Sequence, residues 1–272
     1  MLDVLSFVNM RQQRIKDLVA QYVADGYEPP RLAIVTDDRN NAANASYIRS
    51  KKQFAESCGI VCDVLTLDDG RDFSTMNLAG YYDGIIVQYP FRDYPFDAFR
   101  SFVNDFVPAR ADVDGLRYAS RFAPCTPLGI MNYLAHLRDN GTLPAKDNLV
   151  VNIIGCGGLV GEPLAKMLMK DKDYTVCVTR SNTDEWVADN FHSSADVVVC
   201  ATPKHNLIKY PDLRKVYVDC GCNLVDGKLF GNVSREAYCE EGLITPVPGG
   251  VGRLTVLALF ENVIDAYLDG IM

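Results

Sequence analysis

The chain has 272 residues, of which 48% are hydrophobic and 23% are charged, and its formal net charge is −8. This length suits two moderate domains, and this composition is typical of a globular protein. The negative charge argues against a general nucleic-acid binder. The sequence contains no run of about 18 apolar residues, so no membrane span is predicted.

The N-terminal residues and the cysteines favour a cytoplasmic protein. The apolar residues within 1–8 precede the basic residues of 11–16, which is the reverse of the order in a signal peptide. The nine cysteines include no C-x-x-C pair, and Cys177 and Cys200 lie in apolar, strand-like runs. We therefore expect reduced thiols, no disulfide framework and, with three histidines that lack ligand spacing, no metal site.

The first half of the chain alternates between strand and helix patterns. Hydrophobic periodicity and turn residues predict helices over 11–24 and 42–58, and strands over 31–36, 61–67 and 84–88. This β-α-β alternation implies a parallel sheet with helices on its faces.

Three polar residues lie where such a sheet binds ligands. Tyr47 and Lys51 are four residues apart, so they share one face of the helix that follows the first strand. Gln88 ends the third strand, at the mouth of the sheet rather than in its core. By themselves these residues also allow a simpler interpretation, a solvated lysine and a glutamine bonded to nearby backbone.

Two short motifs precede the second half. Residues 112–115, Asp-Val-Asp-Gly, favour a tight turn, or else a carboxylate that accepts paired hydrogen bonds from an amino-pyrimidine ring. Thr126 is suited to cap a helix whose first residue is Pro127 and which ends at 140–144.

A glycine cluster opens the second half. An apolar run at 150–154 is followed by Gly155, Gly157, Gly158 and Gly161, and then by leucines at helical spacing. Strand, glycine turn and helix form the context in which such glycines bind a dinucleotide, because backbone approaches the pyrophosphate and the helix start offers N–H groups. The alternative is a glycine turn without a ligand.

The remaining strands predict a Rossmann-type domain. Apolar runs at 175–179, 195–201 and 216–220 follow the glycine unit, and a new helix starts at about Leu254. Arg180 and Ser181 end the second strand of this domain, where NAD enzymes usually place an acidic residue for the ribose. A guanidinium and a hydroxyl suit a 2′-phosphate, so we expect NADP to be preferred, with NAD as the alternative.

Together these motifs resemble the bifunctional methylenetetrahydrofolate dehydrogenase/cyclohydrolase family. The matching stretches occur in the family's order over nearly the whole chain: Tyr47–Lys51, Gly84–Gln88, Asp112–Gly115, Pro124–Pro127 with Gly129–Met131, Leu159–Pro163, and Thr245–Gly252 with Thr255–Val256. The resemblance implies a two-domain α/β fold with parallel sheets and a cleft between the domains. A folate-binding catalytic domain would comprise 1–123, completed by a C-terminal helix at 254–272, and an NAD(P)-binding Rossmann domain would comprise 124–253. The resemblance also implies a homodimer.

The implied activity has two steps, oxidation of 5,10-methylenetetrahydrofolate by a nicotinamide and hydrolysis of the methenyl product to 10-formyltetrahydrofolate. The resemblance makes Lys51 the catalytic amine of the hydrolysis, with Gln88 bonded to it and Tyr47 packed on the aminobenzoyl ring of the substrate. Asp114 would anchor the pterin, and further substrate contacts would come from Pro248, Gly249 and Gly250. Cofactor contacts would come from Gly155, Cys156, Gly157, Gly158, Leu159, Val160, Arg180, Ser181, Ala201 and Thr202.

Three departures and two other interpretations accompany the resemblance. Cys156 stands where the family usually has arginine, Arg253-Leu254 replaces Pro-Met, and the segment 108–112 is one residue longer.

The chain could instead be a folate-binding or regulatory relative without turnover, although such a protein has no need for Lys51. It could also be another NAD(P)-dependent dehydrogenase, which would leave the loops at 112–115 and 248–252 unexplained.

Overall fold

The computed structural model describes residues 1–37, 42–67, 78–234, 236 and 242–271, so that Met272 lies outside the described residues. The helices are α1 (Val4–Ala24), α2 (Ala42–Cys58), α3 (Leu78–Tyr81), α4 (Phe96–Phe106), α5 (Cys125–Asp139), α6 (Gly161–Leu168), α7 (Glu185–Ser194) and α8 (Val251–Ile271). The strands are β1 (Arg31–Asp37), β2 (Val61–Leu67), β3 (Gly84–Val87), β4 (Leu149–Ile154), β5 (Tyr174–Thr179), β6 (Val197–Cys200), β7 (Val216–Asp219), β8 (Asn223–Val225) and β9 (Lys228–Phe230).

These elements form two compact units. The first unit consists of Met10–Cys125 and Val256–Met272, and the second consists of Met1–Asn9 and Thr126–Thr255. The first unit is therefore discontinuous in sequence, and the chain returns to it through α8.

The first unit is built on a parallel sheet in the order β2-β1-β3. Its central strand, β1, is buried along nearly its whole length, as expected for an apolar strand of a parallel sheet covered on both faces. The strand order reverses between β1 and β3, so the carboxyl ends of these two strands border the crevice in which such sheets bind ligands.

The second unit contains a four-stranded parallel sheet in the order β5-β4-β6-β7, which confirms the predicted α/β, Rossmann-type architecture. Here the order reverses between β4 and β6, which places a second crevice beyond the glycine turn that follows β4. A short antiparallel hairpin, β8-β9, follows β7.

The long helix α8 completes the core of the first unit. All six residues on its predicted apolar face are buried: Val256, Leu257, Phe260, Val263, Ile264 and Tyr267. Phe260 stacks on Phe54 of α2 with ring centroids 4.7 Å apart, and Glu261 of α8 accepts a 2.5 Å hydrogen bond from Arg11 of α1. The C-terminal segment thus stabilises the helix that carries Lys51.

Several elements differ from the prediction. Helix α5 begins at Cys125, and Thr126 lies inside it, where its hydroxyl pairs with that of Thr255 at 2.9 Å instead of capping the helix. The prediction of Thr126 as a cap is wrong because a tertiary partner takes the hydroxyl. Helices α3 and α4 and the hairpin β8-β9 were not predicted, and α1 begins at Val4 instead of residue 11.

In the part of the chain that the structure describes, no helix combines the length and apolarity needed to cross a membrane.

Candidate functional site

Lys51 and Gln88 meet in the first unit. Lys51 lies on α2, which follows β1, and Gln88 directly follows β3. The Lys51 ammonium donates a 2.8 Å hydrogen bond to Gln88 Oε1, and both side chains are buried, with 9% and 8% exposure. Gln88 is oriented in turn by a 2.9 Å hydrogen bond from its Nε2 to the Tyr89 carbonyl. A buried lysine held by an oriented amide is not a solvated surface group.

The surroundings of Lys51 act on its pKa in opposite directions. Burial lowers the pKa of Lys51, since a charged ammonium loses hydration in the interior. The negative charge of Asp114 opposes this shift, and the nearby Cys125 and Cys62 act in the same sense as Asp114. The net effect is a lowered pKa, which favours the neutral amine required of a general base.

Asp114 lies in a loop that its neighbours hold in place. The Asp112 carboxylate accepts the backbone N–H groups of Leu116 at 3.2 Å and Arg117 at 3.0 Å, so Asp112 is the residue that closes the turn. Asp114 is only partly buried. Cys125, which follows the loop, is buried, and its thiol donates to the Val113 carbonyl at 3.3 Å. Burial and the charge of Asp114 raise the pKa of the Cys125 thiol well above its usual range.

Tyr47 lies one helical turn before Lys51 on α2 and exposes 40% of its surface. A partly exposed aromatic ring next to a buried amine offers a stacking surface to a ring-containing ligand. The first unit thus combines an amine, a carboxylate and an aromatic surface.

The glycine turn of the second unit lies at the switch between β4 and β6. Gly155 has φ +96°, and a Cβ there would lie 2.4 Å from the Ala201 carbonyl oxygen. A Cβ at Gly161 would lie 2.2 Å from the Gly155 carbonyl oxygen, so the start of α6 packs directly on the turn. Gly157 and Gly158 face open space instead. The turn is therefore tightly built at both ends and open in the middle.

The other residues predicted for the cofactor divide into buried and accessible groups. Cys156 is 5% exposed, so its side chain points into the protein and only its backbone is available to a ligand. Leu159 and Val160 are partly exposed immediately before α6, and Ala201 and Thr202 are partly exposed at the end of β6. These backbone segments border the same crevice as Gly155.

Arg180 and Ser181 follow β5 and are both exposed. The Arg180 backbone N–H donates to the Thr183 hydroxyl at 2.9 Å, which closes a tight turn. Asp184 caps α7 by accepting the N–H groups of Trp186 and Val187 at 3.0 and 3.4 Å. The carboxylate of this loop is thus engaged with the helix terminus.

The loop before α8 holds the predicted substrate residues of the second unit. Pro248 is exposed, Gly249 has φ +104°, and a Cβ at Gly250 would lie 2.5 Å from the Pro246 carbonyl oxygen. The exposed Arg253 follows in the first turn of α8, and its backbone N–H donates to the Gly250 carbonyl at 2.9 Å.

Sequence reasoning missed two buried polar residues of the second unit. Asp219, at the end of β7, accepts the N–H groups of Gly221, Asn232 and Val233 at 2.8–2.9 Å. The Asn232 amide then donates to the Thr202 carbonyl and hydroxyl, both at 2.9 Å. A polar residue at a carboxyl strand end, the signal that identified Gln88, would have found Asp219.

Comparisons with known proteins show which family the chain resembles. The protein-family model described as tetrahydrofolate dehydrogenase/cyclohydrolase, NAD(P)-binding domain, matches residues 124–270 of this chain. The chain is 33% identical over 276 residues to the bifunctional protein FolD of Staphylococcus saprophyticus, covering 94% of this chain and 92% of that protein. It is 33% identical over 288 residues to that of Aquifex aeolicus, covering 98% and 94%. The structure of the bifunctional methylenetetrahydrofolate dehydrogenase/cyclohydrolase FolD of Campylobacter jejuni matches at a TM-score of 0.81 with 28% identity, covering 98% of each chain.

Proposed function

Because the chain belongs to the tetrahydrofolate dehydrogenase/cyclohydrolase family, we propose that it oxidises 5,10-methylenetetrahydrofolate with NAD(P)⁺ and hydrolyses the methenyl product to 10-formyltetrahydrofolate. The observation that carries the proposal is the buried Lys51, whose ammonium lies 2.8 Å from Gln88 Oε1. A folate-binding relative without turnover would have no use for a desolvated amine. The folate domain is proposed to comprise 1–123 with 254–272, and the cofactor domain 124–253.

Lys51 serves the hydrolytic step as the general base. Its neutral amine takes a proton from the water that attacks the methenyl carbon, and the resulting ammonium protonates the ring nitrogen as its bond to that carbon breaks. The hydroxyl left on the carbon loses its proton to solvent as the formyl carbonyl forms. The lowered pKa of Lys51 favours the neutral amine, and the cationic methenyl group favours the same state by repelling a second positive charge. Gln88 orients the amine through its Oε1.

Substrate-binding roles are proposed for five residues. Asp114 accepts hydrogen bonds from the amino-pyrimidine edge of the pterin, and Tyr47 stacks on the aminobenzoyl ring. Pro248, Gly249 and Gly250 contribute a close-approach loop.

The crevice of the second unit fits a nicotinamide dinucleotide. Open space beyond Gly157 and Gly158, next to the start of α6, suits a pyrophosphate. The backbone of Gly155, Cys156, Leu159, Val160, Ala201 and Thr202 would line it, with Arg180 and Ser181 at the adenine ribose. A dinucleotide held by these residues would supply the hydride acceptor for oxidation of the methylene carbon.

Two glycine variants test this assignment. Gly157→Ala should leave the free energy of unfolding unchanged or slightly higher, since no atom lies within 4 Å, yet weaken cofactor binding because the methyl enters the pyrophosphate space. Gly161→Ala should lower the free energy of unfolding by about 1–3 kcal/mol, because its methyl meets backbone. Urea unfolding and calorimetric titration with NADP measure the two quantities. Full cofactor affinity in Gly157→Ala would place the dinucleotide elsewhere.

NADP should be preferred over NAD because of Arg180. Losing a charged hydrogen bond to the 2′-phosphate costs about 1.5–3 kcal/mol, so Arg180→Ala should lower the NADP:NAD ratio of kcat/KM about ten- to hundredfold. Asp184, which could have repelled the phosphate, is engaged in capping α7. The matched control is Lys170→Ala, which removes an exposed cation that precedes the amino-terminal end of β5. The assignment fails if the wild type prefers NAD or if the ratio is the same in Arg180→Ala.

The experiment that tests the function itself is an absorbance assay. Purified protein with methylenetetrahydrofolate and an oxidised nicotinamide should form the methenyl product, which should then disappear by hydrolysis. Folded protein that binds folate but turns over neither cofactor would favour the binding-protein interpretation.

The protein is further proposed to act as a cytoplasmic homodimer, which the family resemblance supports. Free thiols at the described cysteines also suit a reducing compartment. Light scattering should give about twice the 30.1 kDa mass of one chain, and a single-chain mass would contradict the dimer.

A further inference from the structure

Asn262 is a polar residue in the apolar stripe of α8. It is 3% exposed, and its neighbours Leu259 and Val263 are buried and apolar. Its side-chain Nδ2 donates to the Val113 carbonyl at 2.8 Å and to the Ala123 carbonyl at 3.3 Å. A buried amide in such a stripe needs hydrogen-bond partners, and these two carbonyls supply them.

These two carbonyls belong to the two limbs of the loop that carries Asp114. Val113 directly precedes Asp114, and Ala123 lies where the loop returns to α5. The same Nδ2 lies 3.8 Å from Cys125 Sγ, whose thiol also donates to the Val113 carbonyl. A primary amide has two N–H donors, so one side chain is able to hold both limbs together.

The same stretch of α8 supports the helix of Lys51. Phe260, two residues before Asn262, stacks on Phe54 with an interplanar angle of 11°. Phe54 lies three residues after Lys51 on α2, within one helical turn. Two nearby positions of α8 therefore contact both the element that carries the amine and the loop that carries the carboxylate.

We infer that Asn262 is a positioning residue that places the Asp114 carboxylate for the pterin, through its hydrogen bonds to the Val113 and Ala123 carbonyls. The inference rests on the proposed function, since it assigns Asp114 to folate. A role in core packing alone would lower stability and leave the folate affinity of the folded protein unchanged.

The test compares Asn262→Asp and Asn262→Ala with Val263→Ala, a matched control that removes a buried side chain one residue away. Both Asn262 variants should bind tetrahydrofolate about ten- to hundredfold more weakly, because the loop loses its donor. Their affinity for NADP should stay that of the wild type. KM for methylenetetrahydrofolate should rise by a larger factor than kcat falls. Val263→Ala should lower the melting temperature with folate affinity unchanged.

Calorimetric titration below the melting temperature of each variant gives the affinities. Asn262→Ala buries no charge, so it decides the question if Asn262→Asp does not fold. Wild-type folate affinity in the folded Asn262 variants, or an equal loss of folate affinity in Val263→Ala, would overturn this inference and leave the proposed function standing. A wild-type protein that does not bind tetrahydrofolate would overturn the proposed function and the inference with it.

Discussion

Replacing Lys51 with methionine should lower the cyclohydrolase rate about a hundred- to ten-thousandfold, the usual effect of removing a general base. Methionine has a similar length and suits a buried position, so the fold should be preserved. The dehydrogenase rate should fall less, since hydride transfer does not require the amine to take a proton from water.

The loss of methenyltetrahydrofolate absorbance measures this effect. Lys52→Met is the matched control, because it is the same substitution on the same helix at a partly exposed position. Unchanged hydrolysis in Lys51→Met would show that the lysine has no part in the reaction.

The wild type and Lys51→Met should also differ in how their free energy of unfolding depends on pH. The pKa of Lys51 is lowered from 10.5, so between the lowered value and 10.5 the unfolded chain binds the proton and the folded chain does not. Wild-type stability relative to Lys51→Met should therefore rise with pH through this window, by up to about 1.4 kcal/mol per pH unit. Below the lowered pKa the difference should become constant. The other groups that act on the pKa of Lys51 are present in both proteins. A difference independent of pH across the window would mean that burial does not shift the pKa of Lys51.

Replacing Asp114 with alanine should weaken folate binding by about 1.5–3 kcal/mol, roughly ten- to hundredfold, because a charged hydrogen bond to the amino-pyrimidine is lost. Binding of NADP should not change, since the cofactor is assigned to the other unit. Calorimetric titration with tetrahydrofolate and with NADP separates the two effects.

The Asp114 substitution should also act on Lys51. The charge of Asp114 raises the pKa of the lysine, so its removal should lower that pKa further. At saturating substrate the acid limb of the cyclohydrolase pH profile should then move to lower pH. Asp114→Asn, which keeps the shape, should give the same displacement. Equal losses of folate and cofactor affinity would indicate a collapsed loop instead.

Local patterns predicted most of the regular structure. Helix α2 and strand β2 have the predicted bounds, because Gly59 lies between them and polar sequence flanks the pair on both sides. Helix α4 was missed although Phe99 and Val103, its buried residues, lie four apart. The hairpin β8-β9 was missed because its strands have three residues each, although Asp226-Gly227 is a strong turn signal.

The candidate site was predicted less completely, because its contacts join distant parts of the chain. Local spacing places Lys51 on a helix and Gln88 at a strand end, but the 2.8 Å bond between them spans 37 residues. Family resemblance, not periodicity, suggested that bond. Asn262 and Val113 are 149 residues apart, and no local pattern distinguishes a buried amide that holds a loop from a helical asparagine that faces solvent.

The discontinuity of the first unit also affects the order in which the protein is assembled on the ribosome. Residues 126–255 are synthesised before Val256–Met272, so the second unit has all its strands while the first still lacks α8. Until α8 emerges, Phe54 has no stacking partner at Phe260, and the Val113 carbonyl has no donor at Asn262. In a nascent chain the second unit should therefore become resistant to protease before the first unit does. The surfaces of the first unit that α8 later covers are where we expect a chaperone to bind.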